Sequence, residues 1–218
     1  MKKNEVILKR QSTRIYFKNG DTDFFFNWLL GIGEVFGFSH GELYFLTQKL
    51  GKSPKPDDWK NIFLSHGNYL KQKASNSDLS EQTKAQYYLA QTYSLRSAIQ
   101  FINPFSDEYL STVHQMEQAF SNAIHSLGAP IEKLTITYQD SYLPGYYLHT
   151  GDDCPTLIMI GGGDTYREDL FYFAGYPGWI RKYNVLMVDL PGQGSNPSRE
   201  LVFDVDASAP ISLCIDWL

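Results

Sequence analysis

Two hundred and eighteen residues amount to between one and two average domains. With 43% hydrophobic and 20% charged residues the chain can build a packed core, which excludes a disordered polar tail. A net charge of -5 leaves no basic excess to displace counterions from phosphates, so nucleic acid is excluded as a general partner. Aromatics stand out at 15%, with 15 Tyr, 14 Phe and 4 Trp. Cys154 and Cys214 are too few for a disulfide framework and point to a reducing, cytoplasmic compartment.

The basic start Met1-Lys2-Lys3-Asn4-Glu5 lacks the apolar run and cleavage site of a signal peptide. The greasy stretch from Phe24 to Phe38 is interrupted by Asn27 and Glu34. It falls short of the ~20 apolar residues of a spanning helix and reads as a buried core helix, with no membrane partner. From Asp21 to Leu127 the pattern is helical. Asp21-Thr22 precede Phe24, Trp28 and Leu29, and Ser39 precedes Leu43, Leu46 and Leu50. Gly31, Gly33 and Gly37 fall inside this pattern and read as helix packing or a bend. Pro56-Asp57-Asp58 puts a proline and two carboxylates where open N–H groups and the helix dipole favour them. Asp78 with Glu81 has capping-box spacing and opens a segment through Tyr88, Leu95 and Ile99. Asn103-Pro104 breaks it, and Ser106-Asp107-Glu108 starts another whose apolar face runs from Leu110 to Leu127. Gly128 and Pro130 end that one. Four or five helices packed as a bundle are expected, with no fixed-period repeat.

After Pro130 the period changes from 3.6 to 2. Ile131 to Tyr138 alternates as a half-buried strand, Gln139-Asp140-Ser141 turns, and Tyr142 to His149 forms a strand broken by Pro144-Gly145. Thr156 to Ile160 is a continuous apolar run, as in a parallel strand buried on both faces. Gly161, Gly162 and Gly163 follow, then a helical segment to about Tyr183 and a second buried strand, Asn184 to Asp189. Strand, glycine loop, helix and strand make a βαβ unit.

A glycine-rich turn between a strand and a helix presents free amides to an anion. A dinucleotide site would use Asp189 as its ribose acid, but the fingerprint needs glycine where Tyr166 stands. A phosphate loop lacks its Gly-Lys-Ser/Thr ending. Two readings remain open on local sequence: an oxyanion hole, or a tight structural turn.

The next loop, Asp189-Leu190-Pro191-Gly192-Gln193-Gly194-Ser195-Asn196-Pro197, tips that balance. Val185 to Pro197 resembles the fourth strand of the α/β-hydrolase superfamily and the loop that follows it. Ile160-Gly161-Gly162-Gly163-Asp164-Thr165 resembles the superfamily's oxyanion loop. Pro144-Gly145-Tyr146 is similar to the branch with a helical N-terminal domain. That branch holds acylaminoacyl-peptidase-like proteins, fermentation/respiration switch esterases and pseudooxynicotine hydrolases. The likeness covers residues 131 to 218 well and the helical half more loosely.

The resemblance implies an α/β fold in which a cap-like helical domain, 1–128, precedes the first strands of a hydrolase sheet, 129–218. It implies a serine hydrolase acting on a small ester, amide or peptide, with Gly162, Gly163 and Asp164 around the oxyanion. The expected G-x-S-x-G elbow is absent, and Ser195 sits in Gly-Ser-Asn-Pro with no strand feeding it. Asp206 to Leu218 resembles the helix before that elbow. The nucleophile, acid and histidine are therefore expected beyond Leu218, in a chain cut short. His40, His66, His114, His125 and His149 read as surface or satisfied histidines, no metal-ligand spacing occurs, and no cofactor is implied. Without a fifth strand, Thr156 to Ile160 would expose an apolar edge, and a homodimer is one assembly that would cover it. The rival class is a non-catalytic helical binding module with a remnant hydrolase segment.

Overall fold

The computed structural model describes residues 14–32 and 38–218. The start of the chain and the readings placed on Gly33, Glu34 and Gly37 lie outside the described residues. Five helices come first among them: α1 (Gly20–Ile32), α2 (His40–Gln48), α3 (Pro56–Ala74), α4 (Glu81–Ile99) and α5 (Asp107–Leu127). Most begin where a short side chain can accept from an open amide. Asn19 Oδ1 takes the amides of Asp21 and Thr22, Ser39 that of Glu42, and Ser106 that of Tyr109. On α3 it is Pro56 that opens the helix, as expected. The cap of α4 differs from expectation: Ser80, not Asp78, accepts from the Thr83 amide at 3.2 Å. Asp78 is held one turn earlier, its own amide bonded to Asn76 Oδ1. No described helix is long and apolar enough to cross a membrane.

Strands β1 (Ile131–Tyr138), β2 (Ser141–Leu148), β3 (Thr156–Ile160) and β4 (Asn184–Val188) form one mixed sheet in the order β1-β2-β4-β3. β1 and β2 make an antiparallel hairpin, β2 runs antiparallel to β4, and β3 runs parallel to β4. The crossover from β3 to β4 is α6 (Arg167–Leu170), a π turn at Phe171–Gly175, and α7 (Tyr176–Trp179). After β4 come a 3₁₀ turn at Asn196–Arg199 and α8 (Ser208–Trp217).

Two expectations change here. β2 is not broken at Pro144-Gly145, because Pro144 opposes Thr135 in an unbroken register. Its carbonyl accepts the Asp189 amide from the β4 side at 3.1 Å. A residue's N and C=O face the same edge of a strand, so the missing N–H points just past the end of β4 and costs no ladder bond. β3 is not buried on both faces. It pairs β4 alone among the described residues and is only partly covered, with Leu157 42% exposed. β4 is the strand buried throughout.

Alternation along the sheet sends two sets of side chains to opposite faces. Tyr146, Leu148, Val185 and Met187 join Phe120, Ala123 and Ile124 of α5 in the largest buried cluster, which continues into α1 to α4. The Phe120 ring lies 5.0 Å from Tyr146 and 5.4 Å from Phe171, so bundle, sheet and crossover meet at one point. Ile136, Leu143, Leu186 and Val188 pack on the other side with Cys214 of α8.

Candidate functional site

At the carboxyl end of β3 the Thr165 amide donates to the Gly162 carbonyl at 3.1 Å, closing a four-residue turn centred on Gly163 and Asp164. The Gly162 amide is engaged, donating to the Thr165 hydroxyl at 3.1 Å. The amides of Gly163 and Asp164 meet no acceptor among the described residues, and both residues are exposed. Of the three expected oxyanion residues, the turn thus leaves two with open donors and commits the third to its own shape. The Phe203 ring stands over the loop, 3.4 Å from where a side chain on Gly163 would begin.

The loop after β4 is built by side-chain amides. Asn196, fully buried, donates to the carbonyls of Asp189 and Leu190 at 2.8 and 2.9 Å. Gln193 accepts the Leu190 amide and donates to the Gly161 carbonyl, so it ties this loop to the glycine turn. Ser195 is buried, and its hydroxyl accepts from Arg199 at 3.1 Å. It borders a cavity of about 190 Å³ with His114, Glu117, Arg167 and Arg199.

Below the loops lies a network of buried charge. Arg167 donates to Asp189 at 2.8 Å and to Glu117, and passes 3.5 Å from Glu168. Tyr146 donates its hydroxyl proton to Glu168 at 2.7 Å. Burial pushes the Asp189 carboxyl up to about 7, against the pull of Arg167. The acid that a dinucleotide site would lay on a ribose is therefore enclosed and turned toward an arginine.

Two residues of the bundle reach into this region. Arg96 of α4 donates to Asp169 at 3.0 Å, to Gln100 at 2.8 Å, and to the Asp164 carbonyl. Its guanidinium lies 4.2 Å from the Tyr166 ring and 4.9 Å from that of Trp28. Tyr109 of α5 shares a 2.6 Å hydrogen bond with the Tyr166 hydroxyl and donates to the Gly194 carbonyl at 2.6 Å. Sequence reasoning singled out none of Arg96, Tyr109, Tyr166 as a phenol, Arg167 or Asp169. One signal was present: Arg96 stands in a helix stretch with Thr92, Tyr93, Ile99 and Gln100 around it and no acid one turn away. An arginine so placed needs a distant partner.

His66 is buried, with Nδ1 3.1 Å from the Ser94 hydroxyl and Nε2 2.9 Å from Glu42, which makes it a satisfied core histidine. His149 is half exposed beside Asp152 at 3.1 Å. No group of three or more His, Cys, Asp or Glu among the described residues could hold a metal.

No family model matches the chain. It is 27% identical over 188 residues to the α/β hydrolase ucsC of Acremonium sp, covering 76% of this chain and 38% of that protein. It is 29% identical over 174 residues to the hydrolase phmG of Phaeosphaeria nodorum, covering 69% and 39%. Among solved structures, AbyA5 superposes with a TM-score of 0.65 at 17% identity, over 90% of this chain and 51% of that one. The 2,6-dihydroxy-pseudo-oxynicotine hydrolase superposes at 0.58 and 20% identity, over 75% and 46%. The chain thus spans less than half the length of these two curated relatives.

Proposed function

The chain is a member of the α/β-hydrolase superfamily, and on that premise we propose that it supplies the helical cap and oxyanion loop of a serine hydrolase acting on a small ester, amide or peptide. The observation that carries this reading is the turn after β3, with the Gly163 and Asp164 amides open at its centre. Attack on a carbonyl moves negative charge onto its oxygen, and two fixed backbone donors in reach of that oxygen stabilise it without reorganising. Removal of one such donor typically costs about 10²–10³ in rate. The Gly162 amide contributes indirectly, because its bond to Thr165 sets the shape of the turn. Serine, acid and histidine would come from sequence following Leu218, and domain 129–218 would be the front of the catalytic domain. The cavity beside the glycine turn, lined by Tyr138, Leu190, Phe203 and Ile211, favours an apolar substrate.

The test is the intact mass of the protein from its native source, before and after a fluorophosphonate probe. A species well above 24.9 kDa that gains one adduct supports the reading. A 24.9 kDa species that gains none overturns it and leaves the helical binding module in its place.

A further inference from the structure

Arg96 is 1% exposed and has no acid within a turn on its own helix. Besides Gln100 on its own helix, its donors reach two sites that bracket one short segment. One is the Asp164 carbonyl, inside the glycine turn. The other is the Asp169 carboxylate, which also accepts the Tyr166 amide at 3.0 Å at the start of α6. The peptide plane that carries the Asp164 carbonyl also carries the Thr165 N–H, and that N–H closes the turn on Gly162. Holding the carbonyl therefore holds the plane next to the two open amides. The rings of Trp28 and Tyr166 flank the guanidinium, leaving it little freedom to turn.

We infer that Arg96 is a positioning residue for the proposed reaction: through its guanidinium the helical bundle sets the direction of the Gly163 and Asp164 amides. This rests on the hydrolase reading above. It makes the bundle part of the machinery that orients an oxyanion, in addition to covering the cleft. Lysine in its place keeps the charge but loses the fork, and a single ammonium cannot span the carbonyl and the carboxylate with the same geometry.

The experiment compares Arg96→Lys and Asp169→Asn with wild type in the full-length protein, produced recombinantly. Hydrogen exchange is followed over residues 161–166 together with kcat and KM for p-nitrophenyl butyrate. Arg96→Lys is expected to speed exchange of the turn at least about tenfold while α3 and α5 keep wild-type protection. Its kcat falls about 10- to 100-fold with KM within about twofold, since misplacement of a catalytic group by ~1 Å costs that much. Asp169→Asn moves both readouts in the same direction and serves where the lysine variant does not fold. Wild-type exchange in the turn, or wild-type kcat, in a folded variant overturns the inference. A wild-type protein that neither turns over the ester nor gains a fluorophosphonate adduct overturns the hydrolase reading instead, and the exchange result still decides whether Arg96 orders the turn.

Discussion

Gly194 and Gly163 sit in adjacent loops and tolerate a methyl group very differently. Gly194 has φ +53°, and a Cβ there would lie 2.2 Å from Asp189 Oδ2. Alanine has to displace the carboxylate that Arg167 holds. Gly194→Ala is expected to cost about 2–4 kcal/mol, read as a lower denaturant midpoint. At Gly163 the same atom meets the Phe203 ring at 3.4 Å with no left-handed backbone, so Gly163→Ala should melt within about 2 °C of wild type. Asp189 adds a pH signature. Burial raises its carboxyl from 3.8 to about 7, so between these values the folded chain holds a proton that the unfolded chain has released. Its contribution to stability is full below 3.8 and is lost as pH rises through about 7. Glu168, also raised by burial, adds the same sign. Denaturant titrations from pH 5 to 8 should show wild type losing stability with rising pH and Asp189→Asn following a flatter line. A wild-type curve that rises over this interval refutes the assignment.

At the scale of elements, β3 presents an open edge. Its outer backbone groups pair with no described strand, and Leu157 is exposed beside them. Such an edge recruits other strands. The 218-residue chain on its own is expected to self-associate with rising concentration in sedimentation velocity, and Leu157→Lys to reduce it. Element boundaries were legible in the sequence wherever the chemistry is local. Ser39, Pro56, Ser106 and Gly128 act within a turn of where they stand. Asp78 misled because a competing turn at Asn76 lay just upstream and Ser80 stood closer to the helix. Pro144 misled because strand order, invisible locally, decides whether its missing N–H matters. The glycine turn was visible as a motif, whereas what grips it was not. Arg96 meets the Asp164 carbonyl across 68 residues, and Tyr109 meets Gly194 across 85. Periodicity carries no information at that separation.

For the molecule as a whole, the change of period near Gly128 is not a break in the core. The largest buried cluster runs from Phe17 and Phe26 through Phe120 to Tyr146 and Met187. Phe120→Ala is expected to cost about 3–5 kcal/mol. It should lower the helix signal in circular dichroism and the burial of the sheet tyrosines in fluorescence over one shared transition. Two separated transitions would show instead that the bundle and the sheet unfold independently.

Arg96 also orders events in time. A ribosome adds residues at about 5–20 per second, so α4 is made seconds before the Asp164 carbonyl and Asp169 that hold its arginine. Until they arrive, a guanidinium at that position keeps its water. The inner face of the nascent bundle therefore stays wet at one spot and dries when the β3 loop docks. Newborn chains stalled before residue 164 should be more open to protease near α4 than chains that have passed residue 169.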